Sequence, residues 1–467
     1  MAQAQSSLEF IPPAYSPVIW HIAKAINPFW LRYNLSVVRV EVDHAGELID
    51  LYHQFQQGKM RFMLAFRHPT VIDPPCLAQL LWNQLPSLAQ QTGVSLRSPV
   101  HAHFIYDRGI PLWAGAKVGW CISQLGGTPI RRGAVDRAGL RSIRDLFVNG
   151  QFPLAAAPEG ATNGHNEIVS PIEPGIAQFG FWCQEDLIKA KRDEAVAIAP
   201  IGIRYFYQTA PWQYLDELLT KLEVDSGLSA TPNRTMGLVN GKTPNENQQT
   251  ELYQRLITLA EHLLALMEDF YRKFYQQQLE SSKDLSQRLQ ALLDAALKVA
   301  EQSFGLKSNG SISDRCRRVE QAGWNRIYRE DISKLTNLAP AVKGLADLVA
   351  SEAELRLWHM RLVETFVSVT GDYLAENLSA ERFADTILLL WTMVTRLKGD
   401  YKAKTPYLGK KWVKITAMPP FLIADYWKPY QTNRRQAVAD LTQDLQQALE
   451  ETMNNEQILI NEKNLCN

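Results

Sequence analysis

A chain of 467 residues exceeds what one hydrophobic core usually serves, so two structural units are expected. Lysine plus arginine and aspartate plus glutamate stand at 49 each, a balance that argues against a nucleic-acid partner. The cysteines, Cys76, Cys121, Cys183, Cys316 and Cys466, are odd in number, lack metal-binding spacing and fit a reducing, cytoplasmic setting. Met1 to Phe10 is polar, without the basic end and apolar core of a secretory leader. Residues 11–35 begin with Pro12, Pro13 and Pro17, and the run from Val18 to Leu31 predicts an amphipathic helix. Such a helix suits a membrane surface or packing on a domain equally. Alternation and β-branching make Val37 to Val42 a strand, and Leu48 to Gln57 a helix ending at Gly58. The apolar run Phe62 to Phe66 reads as a buried strand. Pro69 keeps His68 out of helical conformation, so His68 is expected at the strand end, with Asp73 five residues on.

Further elements follow in alternation. Cys76 to Leu81 reads as helix, Phe104-Ile105 as strand, and Leu112 to Leu125 as a helix stopped by Gly126-Gly127. Ile130 lies in a short strand followed by Arg131 and Arg132. Asp136 caps a helix that carries Arg137, Arg141 and Arg144 on one face. Phe152 to Ala157 is a strand delivering Pro158, Glu159 and Gly160; a helix over Ile176 to Ile188 and a strand over Val196 to Tyr205 follow. Strands alternating with helices define an α/β class with a largely parallel sheet covered on both faces.

Residues 211–247 read as irregular. From Gln249 the apolar spacing becomes helical throughout, with helices over Leu285 to Phe304, Asp314 to Tyr328, Ala353 to Leu374 and Ala380 to Leu397. Lysines and aromatics interleave over residues 398–414, which suits a membrane surface or a solvated loop. No apolar run reaches the about 18 residues of a membrane span, so a lipid would be met peripherally. Trp412 to Thr416 alternates as a strand, Pro419 and Pro420 stop it, and Ala437 to Leu449 forms a last helix. An isolated strand cannot satisfy its own backbone groups, so residues 411–453 are expected to rejoin the sheet that holds His68.

A histidine held by a nearby carboxylate is a standard general base. The pair His68/Asp73, the block Gly126 to Arg132, the block Ala157 to Gly160 and the strand Val196 to Ile201 with Pro200 stand in that order. Together they resemble the glycerolipid acyltransferase family over residues 60–205. The resemblance implies a mixed, largely parallel α/β sheet flanked by helices, with a large all-helical insertion. The acyltransferase domain would span residues 16–210 and 408–453, and the insertion residues 248–398. It implies transfer of a fatty acyl group, in phospholipid biosynthesis, to a hydroxyl of glycerol-3-phosphate or 1-acylglycerol-3-phosphate. The co-substrate would be an acyl-CoA or acyl-carrier-protein thioester, with no other cofactor and no metal. His68 would be the base and Asp73 its orienting partner. Arg132 matches the family's phosphate-binding arginine, with Arg131 beside it, and Glu159 and Gly160 match the block that shapes the acceptor site. The implied partners are the thioester donor, the glycerophosphate acceptor, an acyl carrier protein and a membrane surface. Three positions depart from the family pattern: Arg67 replaces asparagine, Thr70 replaces serine, and Ala161-Thr162-Asn163 replaces Thr-Arg-Ser. The competing readings are a catalytically inactive relative that binds lipid or acts as a scaffold, and a metal-assisted hydrolase drawing on His101 and His103.

Overall fold

The computed structural model describes every residue except Met1, 132–135, 229–235, 280–283, 330, 333–337, 367–372, 377, 401–402 and 455–467. The described residues form two compact units, Met1–Glu9 and Thr209–Gly409 in one, and Phe10–Arg131, Asp136–Gln208 and Lys410–Asn467 in the other.

The chain starts with a two-residue strand, β1 (Gln5–Ser6), that belongs to the helical unit. The α/β unit then opens with α1 (Pro17–Phe29), capped by the Ser16 hydroxyl and continued by a π-helical stretch over Trp30–Asn34. Strand β2 (Val37–Asp43), α2 (Ala45–Gln56) and β3 (Met60–Phe66) come next. Helix α3 (Asp73–Gln79) runs through a π-helical stretch, Leu80–Gln84, into α4 (Leu85–Gln91), further than the expected Leu81. After β4 (His103–Asp107) the helix expected over residues 112–125 is two, α5 (Ile110–Ala114) and α6 (Ala116–Gln124). They break at Gly115, whose φ of 96° a side chain would resist. Strand β5 (Thr128–Ile130), α7 (Arg137–Asn149), β6 (Leu154–Ala156), α8 (Gly175–Lys189) and β7 (Ala195–Tyr207) complete this first part.

The helical unit holds α9 (Trp212–Asp225), α10 (Glu246–Tyr275), α11 (Leu285–Phe304), α12 (Ile312–Ile327), α13 (Pro340–Phe366), α14 (Tyr373–Glu376) and α15 (Ala380–Leu397). Helix α9 lies in the segment expected to be irregular. Its Leu215, Leu218, Leu219 and Leu222 are buried at helical spacing, and proline breaks on either side obscured the pattern. Arg255 of α10 clamps α9 through Asp216 at 2.7 Å and Glu223 at 2.8 Å. The unit is not wholly helical, because β8 (Tyr328–Arg329) pairs in parallel with β1.

The chain then re-enters the α/β unit with β9 (Lys411–Ala417), β10 (Phe421–Leu422), α16 (Ile423–Thr432) and α17 (Arg434–Asn454). The eight-stranded sheet has the order β2-β9-β7-β3-β6-β4-β5, with β10 also on β7. Strands β7, β3, β6, β4 and β5 are mutually parallel. Strand β9 runs antiparallel to β7 and parallel to β2, so the sheet is mixed but mostly parallel. Successive residues of β3 face opposite cores. Phe62, Leu64 and Phe66 join the cluster that includes α2, α3 and α4, while Met63 and Ala65 join the one that includes α7, α8 and α17. Burial on both faces is why β3 reads as an unbroken apolar run. Pro200 lies inside β7, after Ile198 pairs with Phe421 of β10 and before Ile201 pairs with Ala417 of β9. It is in register with Ala65 of β3 and its carbonyl accepts from the Met418 N–H, so only on the β9/β10 side does it fall between two pairings, where its missing N–H is not required.

Candidate active site

The parallel strands β3, β6, β4 and β5 end on one edge of the sheet, and the loops beyond those ends carry the candidate residues. His68 follows β3, Glu159 and Gly160 follow β6, and Arg131 follows β5. Strand β5 stands three places from β3, about 14 Å at the usual strand spacing. Arg132 lies outside the described residues.

His68 Nδ1 is 2.9 Å from Asp73 Oδ2. The histidine side chain is 20% exposed and the aspartate fully buried, so the imidazole is held from its protected side. With Nδ1–H donating to the carboxylate, Nε2 is left as the acceptor. Asp73 is itself fixed. Its Oδ2 also accepts from the Thr70 N–H at 3.0 Å, and its Oδ1 accepts from the Tyr205 hydroxyl at 2.5 Å. Burial raises the Tyr205 hydroxyl well above the usual tyrosine range, which keeps it a donor. Burial likewise raises the Cys76 thiol, 3.6 Å from Tyr205, and holds it neutral and poorly nucleophilic.

Glu159 works on the backbone. Its Oε1 accepts from the His68 N–H at 2.7 Å, and its Oε2 from the Ser170 N–H at 2.9 Å and the Asn163 amide at 3.2 Å. The carboxylate therefore ties the loop after β6 to His68. Gly160 turns the chain beside it with a φ of 73°. The Gly164 N–H donates to the Pro69 carbonyl and adds a second tie between the two loops.

Arg67, the departure from asparagine, is fully buried. Its guanidinium donates to the His165 carbonyl at 2.7 Å, the Ile203 carbonyl at 3.3 Å, and the carbonyls of Asn166 and Ile168. It points into the protein and clamps the loop of residues 163–168 against β7. Arg131 donates its backbone N–H to Asp136 Oδ2 at 2.8 Å, and the same oxygen takes the Arg108 guanidinium from the end of β4. Asp136 Oδ1 caps α7 by accepting from the Gly139 N–H.

His101 and His103 are core residues. Trp82 Nε1 donates to His101 Nδ1 at 2.8 Å, so Nε2–H faces the Leu125 carbonyl. Burial lowers His101 to about 3. His103 bonds the Gly126 carbonyl and is also lowered by burial. His165 falls to about 4, from burial first and the neighbouring Arg67 second. These three imidazoles are neutral and enclosed.

Tyr205 and Arg67 are the residues around the His68–Asp73 pair to which the sequence assigned no partner. Tyr205 left one signal: a hydroxyl inside an otherwise apolar central strand must find a buried partner. The chain matches no protein-family model, and comparison with curated proteins finds no match.

Proposed function

We propose that the α/β unit is an acyltransferase that moves a fatty acyl group from a thioester to a hydroxyl of glycerol-3-phosphate or 1-acylglycerol-3-phosphate. The observation that carries this reading is the His68–Asp73 pair, with Nε2 free to accept a proton and the carboxylate fixed by two further donors. The acceptor hydroxyl gives its proton to His68 Nε2 as its oxygen attacks the thioester carbon. Asp73 steadies the imidazolium that results. When the C–S bond breaks, the departing thiolate takes the proton back from Nε2, leaving an ester and a free thiol. No protein nucleophile is needed, in keeping with the neutral, buried Cys76. Arg132, which the resemblance matches to the family's phosphate-binding arginine, would grip the acceptor phosphate as a guanidinium does in bidentate pairing, with Arg131 beside it as a substitute.

The test is transfer by the purified protein from acyl-CoA and acyl-carrier-protein thioesters to each acceptor. His68→Ala should lower it by about 10²–10⁴-fold with the fold intact. Turnover near wild type in that variant would reject the mechanism. Lipid binding without transfer by the wild type would favour an inactive, lipid-binding relative.

A further inference from the structure

Helix α1 and its π-helical continuation bury Trp20, Asn27 and Leu31 against the α/β unit, yet their outer face is apolar as well. Val18, Ile22, Ile26, Phe29, Trp30 and Tyr33 are 49–74% exposed and recur at helical spacing along one side. Residues 17–34 contain no aspartate or glutamate. The helix also lies beside the dyad: Asn27 donates to the Pro75 carbonyl of α3, the helix that begins at Asp73. Val71, in the loop between His68 and Asp73, is 59% exposed.

The stripe ends at a cationic cavity. Arg32, set between exposed Trp30 and Tyr33, lines a cavity of about 400 Å³ together with Arg39, Lys410, Gln208, Val38 and Trp412. Arg39 lies over the Trp412 ring, 4.9 Å from its centroid, and pairs at the rim with Glu41. Among the described residues no helix is long and apolar enough to cross a membrane.

We propose that this face docks the protein on an anionic lipid surface: the α1 stripe enters the acyl boundary, and the Arg32/Arg39/Lys410 cavity takes a lipid phosphate. Two features select this occupant over a second copy of the chain. The cations sit at the end of the apolar stripe where headgroups would lie, and tryptophan and tyrosine mark that same level. An acid-free, basic helix also repels a copy of itself while attracting anionic lipid.

The proposal is read without turnover, so it stands or fails separately from the catalytic reading. Full-length protein is sedimented with vesicles of phosphatidylcholine alone and of phosphatidylcholine mixed with phosphatidylglycerol. Wild type should bind the mixed vesicles more strongly, and added salt should weaken that preference. The triple variant Ile22→Glu, Ile26→Glu, Phe29→Glu changes only exposed positions and should lose binding to both. Arg32→Ala with Lys410→Ala should lose roughly 25-fold of the partitioning to anionic vesicles and little of that to neutral ones. Three results would overturn the proposal. One is vesicle binding unchanged in the triple variant. Another is a wild-type dimer in sedimentation velocity that the triple variant abolishes. The last is release from vesicles by inorganic phosphate at constant ionic strength, which would make the cavity a small-anion site.

Discussion

Tyr205 reaches Asp73 across 132 positions of sequence, and Glu159 reaches His68 across 91. In the proposed mechanism both would position His68, Tyr205 through Asp73 and Glu159 through the His68 N–H, and each role has its own signature. Tyr205→Phe leaves Asp73 Oδ1 buried without its hydroxyl donor, which should cost about 1–3 kcal/mol of stability. If the looser carboxylate costs about 1.4 kcal/mol in the transition state, kcat falls about tenfold. The KM values should hold, since no substrate contact is lost; a rise in acceptor KM at constant kcat would move Tyr205 to the acceptor pocket. For Glu159→Gln, the amide must aim an N–H at one of the three donors the carboxylate now accepts. A loss of about 1–3 kcal/mol is expected in thermal unfolding, together with lost turnover. An unchanged midpoint with a raised acceptor KM would make Glu159 a substrate ligand instead. At this scale the sequence placed His68 at a strand end five residues before Asp73, and it singled out Glu159 only through the family resemblance. It was silent on the Tyr205 and Arg67 partners, which only the strand register brings together.

Single elements show where periodicity succeeds and where it misleads. Strand β3 was legible because both its faces are buried, and β9 because alternation between prolines leaves few other readings. Helix α9 was hidden by the prolines around it, and α13 begins at Pro340, well before the residue 353 that its apolar spacing suggested. A long helix with a weakly patterned first half offers little to read. Packing is close where α8 meets the start of α16. A Cβ on Gly180 would stand 2.6 Å from Ile423 Cδ1 and 3.0 Å from Ile198 Cδ1. Gly180→Ala gains helix propensity but overpacks this contact, and a net loss of about 1–3 kcal/mol is expected from denaturant unfolding. Ile423→Val removes the offending Cδ1. The double variant should therefore be more stable than the sum of its parts by about 0.5–3 kcal/mol; strict additivity would mean that the helices shift apart freely.

For the whole molecule, burial makes acid a destabilising agent. His101 is held down at about 3 and His165 at about 4, against 6.5 for an ordinary histidine. Below 6.5 the unfolded chain binds protons that the folded chain refuses, so stability falls with pH from about 6.5 toward 4. Unfolding midpoints measured over that window should decline. In His101→Gln, whose amide can replace both hydrogen bonds, the decline should be shallower by about one proton. An equal slope in that variant would show that His101 is charged in the fold.

Strand β2 takes its ladder bonds from β9, with Val37 opposite Lys411 and Asp43 opposite Thr416. During synthesis the ribosome must add Thr209–Gly409, the main body of the helical unit, between those two strands. At usual translation speeds β2 then waits roughly 20–75 s for its partner, its edge open to other chains. In the nascent chain the sheet of the α/β unit therefore stays unfinished until Lys411–Ala417 emerges. Its edge strand carries Arg39, Glu41 and Asp43, charges that discourage pairing with strangers during the wait.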